Sequence, residues 1–297
     1  MTIGKTLPLL SLIALAAAGP ALAGAFVLWQ RKRRKARRRS PLTADLLRPA
    51  GYSLRLQIEE VRDKIDEVLL VLLAAPLFIY AAHITLYGVS ASDARMGVSL
   101  AFGLLTLVFG AAYLARLTKR LDQLRLGSDA EMAIGQELDQ LMRKGAVVFH
   151  DVPADKFNVD HLVIAPSGVF AVETKGRAKP IRGRGTDDAS LRFDGKALHF
   201  PGWSEGAPLA QAVRQAKWVA DWLTNAVGSP VETRPVLAVP GWWIDRTGKS
   251  EVLIFNGKNP QFLLSMTGQA LSAEMIQRIS YQVDQRCRTV KPVYARE

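Results

Sequence analysis

The sequence predicts an α/β domain preceded by three membrane-spanning helices. Three observations carry this prediction: long apolar runs confined to the first 126 residues, a basic block behind the first run, and short β-rich runs between amphipathic helical patterns in residues 127–297. Hydrophobic residues make up 49% and charged residues 22% of the 297, which excludes a disordered or collagen-like chain. The single cysteine, Cys287, excludes an intramolecular disulfide framework and a cysteine-based structural zinc site.

Three apolar runs are long enough to be membrane spans. Residues 7–29 and 97–115 contain no charge, and residues 68–87 contain His83 as their only titratable side chain besides tyrosine. A helix of about 20 apolar residues crosses a hydrocarbon core of about 30 Å. The first run also has features of a cleaved signal peptide, but it runs directly into the basic block 31–39, which favours an uncleaved stop-transfer anchor.

The distribution of Lys and Arg predicts how these spans are oriented. The loop of residues 30–67 holds twelve Lys or Arg and residues 116–126 hold four, whereas the N-terminal tail and the link between the second and third spans hold one each. The positive-inside rule places the two basic regions in the cytoplasm. We therefore predict an integral protein of the inner or plasma membrane, with a membrane region of residues 1–126 and a cytoplasmic domain of residues 127–297. The basic block 31–39 is also suited to anionic lipid headgroups.

The net charge of +12 is unevenly distributed along the chain. Residues 127–297 contain 21 Lys or Arg and 19 Asp or Glu, so that part has a net charge of only +2. The high isoelectric point therefore reflects the basic loop and the span flanks. It is poor evidence that the whole chain binds nucleic acid.

Residues 127–297 are predicted to form one α/β domain. Helical patterns cover residues 129–142, 209–227 and 273–285, and β-rich runs cover residues 146–149, 159–165, 169–175, 235–240 and 251–255. The glycine-rich segment 183–195 is predicted to be a hairpin tip. In the first helix, Ile134, Leu138 and Leu141 form an apolar stripe with Glu131 at its edge, where a carboxylate is either snorkelling or functional.

The register of one predicted hairpin decides whether two carboxylates meet. A proline and a glycine between its strands favour a type I turn over residues 165–168. If Ala165 pairs with Gly168, Asp160 lies opposite Glu173 with Cβ atoms about 4.5–5.5 Å apart, and the two repel unless a cation lies between them. A bulge at Gly168 would instead set Thr174 opposite Asp160, and the sequence leaves both registers open.

Five segments occur in one order at close spacing: Gly127-Ser128-Asp129-Ala130-Glu131, Asn158-Val159-Asp160-His161, Pro166-Ser167-Gly168-Val169-Phe170, Glu173-Thr174-Lys175 and Pro208-Leu209-Ala210-Gln211-Ala212. Together they resemble the nuclease-related (NERD) domain, a branch of the PD-(D/E)xK nuclease superfamily. The resemblance covers about residues 127–260 and not the membrane region. It implies a restriction-endonuclease-like mixed sheet flanked by helices. One departure is Ala130, where the family more often has glycine before the glutamate.

The resemblance implies a role for each of five side chains. Asp160 and Glu173 would hold a divalent metal, Mg²⁺ or Mn²⁺, and Lys175 would steady the attacking water or the developing negative charge. Glu131 would add a metal ligand or a more distant contact, and Gln211 would orient substrate or water. The residue types suit this chemistry, because Mg²⁺ prefers carboxylate and phosphate oxygens and phosphodiester hydrolysis needs an activated water and charge neutralisation at phosphorus.

Structural roles compete with these assignments. Asp160 and Lys175 can form an ion pair without any metal, Glu131 can be an ordinary acid at the edge of a helix face, and Gln211 can be a surface amide. His161 points away from Asp160 and is interpreted as a packed histidine. The tryptophans of the domain are interpreted as core residues: Trp218, Trp222, Trp242 and Trp243.

Three functions are compatible with the sequence. The first is a membrane-anchored, metal-dependent nuclease that acts on DNA or RNA at the cytoplasmic face. The second is a catalytically idle nuclease fold that binds nucleic acid or a protein partner at the membrane, and the third is a membrane scaffold or sensor. The intact Asp/Glu/Lys set favours the first. The near-neutral charge of residues 127–297 favours the other two, because phosphate binding is helped by a basic surface.

Overall fold

Contacts within the chain divide it into two units. The computed structural model describes residues 22–30, 32–34, 39–88, 92–180 and 189–294. One unit comprises Met1–Thr43, Glu60–Leu121 and Pro292–Glu297, and the other comprises Ala44–Glu59 and Asp122–Lys291. The second unit therefore contains Ala44–Glu59 in addition to nearly all of the segment predicted as residues 127–297.

The elements follow one another along the chain as follows. The helices are α1 (Tyr52–Tyr87), α2 (Asp93–Asp139), α3 (Ala207–Val227) and α4 (Ala273–Cys287), with 3-10 turns at Gln140–Lys144 and Pro260–Ser265. The strands are β1 (Leu46–Leu47), β2 (Val147–Pro153), β3 (Asn158–Ala165), β4 (Gly168–Thr174), β5 (Ser190–Phe193), β6 (Leu198–Phe200), β7 (Trp203–Glu205), β8 (Thr233–Ala238), β9 (Trp243–Arg246), β10 (Leu253–Phe255) and β11 (Arg288–Val290).

Two long apolar helices run through the first unit. α1 and α2 contain the predicted spans 68–87 and 97–115, and both helices are long and apolar enough to cross a membrane. Their apolar stretches are almost wholly uncovered by protein: Leu73 and Phe109, for example, are 76% and 70% exposed. Such a surface is unfavourable in water and favourable in hydrocarbon.

The predicted span 7–29 lies largely outside the described residues. Residues 22–30 are helical, and the side chains of Leu22, Phe26 and Trp29 are exposed. Within the described ranges, two helices rather than three qualify as candidate spans. Of the basic block 31–39, only residues 32–34 and 39 are described.

Small and polar residues bring α1 and α2 together within the first unit. Leu72 of α1 lies directly against Gly110 of α2, where any side chain would collide with it. The His83 ring is 4% exposed, and its Nδ1 lies 2.8 Å from the Ser99 hydroxyl. Close packing at glycine and hydrogen bonds between helices are the usual means of association between spans.

A five-stranded mixed sheet is the centre of the second unit. Its order is β10-β8-β4-β3-β2, with antiparallel pairing among β2, β3 and β4 and parallel pairing among β4, β8 and β10. On one face, Leu162 packs with Val219 of α3 and Ile279 of α4. On the other face, Phe170 packs with Leu138 near the end of α2. The predicted fold class, a mixed sheet flanked by helices, is confirmed.

Two smaller sheets complete the second unit. β7-β6-β5-β9 form a four-stranded sheet whose apolar residues share a cluster with Leu237 of β8. β1 pairs with β11, so that Leu46 lies opposite Val290. The predicted hairpin tip 183–195 falls partly outside the described residues, and its described end enters β5 at Ser190.

The tryptophans differ in their environments. Trp242 is 1% exposed and belongs to the core, as predicted. Trp218 and Trp222 are half-buried and stacked, with the Arg286 guanidinium over both rings. The prediction is wrong for Trp243, which is 69% exposed because it is the first residue of the outer strand β9.

Candidate functional site

The β3–β4 hairpin has the register that brings the two acidic residues together. Ala165 pairs with Gly168 and His161 pairs with Val172. One further step in this register sets Asp160 across from Glu173, and the bulged alternative is excluded. The main-chain N–H of Thr174 donates to the Asp160 carboxylate at 2.7 Å, which fixes Asp160 against the end of β4.

Three carboxyl groups and one lysine meet at the end of this hairpin. Asp160, Glu173, Glu131 and Lys175 interact electrostatically with one another. Lys175 Nζ donates to Glu173 Oε1 at 2.5 Å, so the partner of the lysine is Glu173 and not Asp160. Glu173 is 2% exposed, and its Oε2 is buried without a hydrogen-bond partner in the described part of the chain. A buried oxygen of this kind calls for a donor or a cation.

Burial and mutual repulsion favour the protonated forms of two of these acids. Burial, followed by the charges of Asp151 and Glu173, raises the pKa of Glu131 to about 8. Burial, followed by Glu173 and Glu131, raises the pKa of Asp160 well above its ordinary value. The cluster therefore has more potential negative charge than its one lysine neutralises.

The beginning of α1 reaches the same cluster. The Gly51 backbone lies close enough to the Glu131 carboxyl to lower its pKa, although burial and the neighbouring acids raise that pKa more. Beside it, the Asp151 carboxylate accepts hydrogen bonds from the Ser53 hydroxyl at 2.7 Å and from Arg48 Nη1 at 3.0 Å. The segment before and within the first turn of α1 thus contacts two buried acids. No local sequence pattern predicts this contact.

Asp151 is held in an uncommon conformation between these donors. Its φ of 48° lies in the left-handed region, and its side chain is buried. Burial raises the pKa of Asp151, and Ser53 and Arg48 oppose that shift. Asn158 Nδ2 also donates to Asp151 Oδ1 at 3.3 Å. Asn158 lies two residues before Asp160, so the Asp151 network supports the strand that presents Asp160.

Gln215, one helical turn after the predicted site residue Gln211, is the glutamine of α3 that contacts β3. Gln215 is 2% exposed, and its Nε2 donates to the Asn158 carbonyl at 3.2 Å. Its Oε1 is buried with no partner in the described residues. Gln211 is half-buried and makes no side-chain hydrogen bond within the same residues. Because the two lie four residues apart on one helix face, the helical spacing did contain a signal for Gln215.

His161 is a packed histidine, as its strand face predicted. It is fully buried, its Nδ1 lies 2.9 Å from His150 Nδ1, and His150 Nε2 lies 3.0 Å from Asp139 Oδ1. Burial, together with His150, lowers the pKa of His161 well below its ordinary value. Its ring therefore stays neutral on the face opposite the carboxylates.

The comparison with known families decides what this arrangement belongs to. Residues 126–240 match the family model of the nuclease-related domain. This segment of the chain is similar to a NERD domain. No curated protein and no solved structure matches the chain.

All five predicted site residues lie inside the matched segment 126–240. The match begins just before Glu131 and includes Asp160, Glu173, Lys175 and Gln211. It ends before β9, β10, α4 and β11. It also leaves out Ala44–Glu59, which the contacts of the structure place in the same unit.

Two of the clustered carboxylates, Asp160 and Glu173, are of the type that holds a divalent cation. Within the described ranges, no group of three or more His, Cys, Asp or Glu side chains is arranged to hold a metal ion. Asp160 and Glu173 nevertheless offer carboxylate oxygens at one end of the sheet, including the unpartnered Glu173 Oε2. Mg²⁺ usually takes one or two carboxylates and fills its other positions with water and phosphate oxygens.

Proposed function

We propose that this protein is a membrane-anchored nuclease that hydrolyses phosphodiester bonds of DNA or RNA with Mg²⁺ or Mn²⁺. The observation that carries the proposal is the meeting of Asp160, Glu173, Glu131 and Lys175 within the matched segment 126–240. Three clustered acids beside one lysine resist ionisation unless a cation joins them. Metal-dependent phosphodiester hydrolysis uses such a set.

Each residue then has a specific task. Asp160 and Glu173 would hold the metal, which when bound would neutralise charge at phosphorus and activate a water. Glu131 would accept a hydrogen bond from water next to that pair. Lys175 would leave Glu173 as the metal takes over its charge and would donate to a substrate phosphate oxygen. Gln211, with Gln215 behind it, would orient substrate.

The membrane part of the proposal rests on the two apolar helices and on the charge distribution. We propose that α1 and α2 span the inner or plasma membrane and that the domain containing the NERD match faces the cytoplasm. The exposed apolar surfaces of both helices support membrane insertion. The basic residues of 30–67 and 116–126 support the orientation and a contact with anionic lipid.

One observation favours a second candidate, a catalytically idle fold that binds nucleic acid or a protein partner at the membrane. The Lys175–Glu173 ion pair ties the lysine to an acid, so neither group is free to serve a reaction in this arrangement. An idle fold would keep that pair permanently. A nuclease would break it when metal and substrate bind.

A nuclease assay on the full-length protein in detergent separates the two candidates. We expect cleavage of DNA or RNA with Mg²⁺ or Mn²⁺ and none in chelator. Asp160→Asn and Lys175→Ala should each lower the rate by about 10²-fold or more. Asp221→Asn, on the exposed side of α3, is the matched control and should leave the rate unchanged. Absence of cleavage on single- and double-stranded DNA and RNA would favour the idle fold.

A further inference from the structure

A groove of about 800 Å³ lies in residues that follow the NERD match. It is lined largely by residues between Trp243 and Met266. Two of its walls are outer strands: β9 is the last strand of the four-stranded sheet and β10 is the last strand of the five-stranded sheet. We call it the basic groove.

The lining of the basic groove is positively charged. Its charged residues are Arg246, Lys249 and Lys258, and no acid lines it. Lys249 and Lys258 are exposed and form no ion pair with described residues. The Arg246 guanidinium donates to the Ile254 carbonyl at 2.7 Å, which holds this cation between β9 and β10. The lining therefore carries three cations, although residues 127–297 as a whole are close to neutral.

The groove also presents an aromatic ring to solvent. Trp243 lines it and is 69% exposed, the largest exposure of any tryptophan side chain in the second unit. Phe262 and the amide side chains of Asn256 and Asn259 lie in the same lining. Aromatic rings beside cations are the usual platform for single strands, whose bases stack on the rings while phosphates contact Lys and Arg.

The groove lies beside the carboxylate cluster in the same sheet. Glu173 of β4 is paired with Leu237 of β8, and Leu237 is paired with Ile254 of β10. Two strand spacings of about 4.8 Å therefore separate Glu173 from the groove wall, or roughly 10 Å.

We propose that the basic groove binds single-stranded nucleic acid, with phosphates on Arg246, Lys249 and Lys258 and a base stacked on Trp243. The inference rests on the proposed function only in taking nucleic acid as the substrate. It adds a binding site outside the NERD match, and it specifies that the bound nucleic acid is single-stranded. A single strand is favoured over a duplex because only an unpaired, unstacked base offers its face to a tryptophan. The cations favour a polyanion over a peptide strand added to the short edge of β10.

The test measures binding without cleavage. Full-length Asp160→Asn protein in detergent is titrated against a fluorescein-labelled 20-nucleotide oligo-dT, and against oligo-rU and a duplex in parallel, over a series of salt concentrations in chelator. The variant pair Lys249→Ala and Lys258→Ala is compared with a control pair, Lys144→Ala and Lys217→Ala, which removes the same charge from exposed positions elsewhere. Trp243→Ala is compared with Trp243→Phe, and melting temperatures are recorded for all variants.

We expect the groove pair to lower single-strand affinity and to reduce the slope of log affinity against log salt by about 1.4, since each lost phosphate contact on a single strand contributes about 0.7. Trp243→Ala should weaken binding about fivefold or more and Trp243→Phe much less. Equal losses for the groove pair and the control pair, a duplex bound as tightly as the single strand, or no single-strand binding at all would overturn the proposal. If the variants show these losses of binding but the wild-type protein cleaves no nucleic acid, the binding role of the basic groove is supported and the proposed nuclease activity is contradicted.

Discussion

At the scale of single residues, the partner of Asp160 determines how the site responds to mutation. Asp160 accepts a hydrogen bond from the Thr174 N–H, and Lys175 is paired with Glu173. The alternative interpretation is an ion pair between Asp160 and Lys175. In the structure Lys175 pairs with Glu173 instead. What remains around Asp160 is burial and two neighbouring acids, and both favour a neutral side chain at this position.

We expect Asp160→Asn to keep or slightly raise stability in chelator, because the amide oxygen still accepts from Thr174 and the amide, unlike a carboxyl group, cannot ionise beside Glu173 and Glu131. Glu173→Gln should instead lower the free energy of unfolding by about 1–3 kcal/mol, because it leaves the Lys175 ammonium without its anionic partner. Thermal melts of both variants in chelator measure the difference. A large drop for Asp160→Asn, comparable with that of Glu173→Gln, would contradict the arrangement described.

The raised pKa of Glu131 predicts a pH dependence. Its folded pKa of about 8 lies above the ordinary value of 4.5, so the folded state binds a proton that the unfolded state has already released between these values. Stability in chelator should therefore fall as pH rises from about 4.5 to about 8. Denaturant titrations at several pH values measure this trend, and Glu131→Gln should make it shallower. If stability depends on pH equally steeply in that variant, a group other than Glu131 is responsible for the pH dependence.

At the scale of secondary-structure elements, local sequence patterns predicted individual helices and strands but not the pairing between distant segments. The strands β3 and β4 and the helices α3 and α4 lie within two residues of their predicted bounds, because each has a clear alternation or stripe. The predicted helix 129–142 proved to be the end of α2, since no Gly or Pro interrupts the join strongly enough to break it. The sequence could not indicate that β1 pairs with β11 or that Arg48 and Ser53 hold Asp151, because these partners are about 100 or more residues apart.

Residues 44–59, which include the first turns of α1, should stabilise the rest of the second unit even when supplied as a separate molecule. A fragment of residues 120–297 lacks Arg48, Gly51 and Ser53, so the buried acids Asp151 and Glu131 lose these contacts. We expect a peptide of residues 44–59 to raise the melting temperature of this fragment. A peptide carrying Arg48→Ala and Ser53→Ala should not do so, and equal effects of the two peptides would show that these side chains do not hold the segment.

At the scale of the whole molecule, orientation follows from charge and not from the shape of the fold. The first predicted span and most of the block 31–39 fall outside the described residues, and their roles are predicted from amino-acid composition. The apolar helices alone fix no direction across a bilayer, so the proposed cytoplasmic location of the site is tested by measuring the orientation directly.

A reporter active only in the cytoplasm, fused after Glu297, should be active in the wild-type protein. Replacing the eight Lys and Arg of residues 31–39 by Gln should give mixed orientations, because eight of the twelve positive charges of the 30–67 loop are lost. Replacing the same number of Lys and Arg after residue 190 is the control and should leave the orientation unchanged. An exported C-terminus would rule out access to cytoplasmic nucleic acid.

The pairing of β1 with β11 joins two segments that the ribosome synthesises far apart in time. Arg48 bonds to Thr289, which the ribosome adds 241 residues later. At about 5–20 residues per second, the C-terminal strand appears roughly 12–50 s after the segment that it holds. The predicted spans 68–87 and 97–115 are made within that interval, so α1 and α2 can enter the bilayer before Asp151, Asp160 and Glu173 have been synthesised. The nascent chain would thus reach the membrane before its acidic cluster is complete.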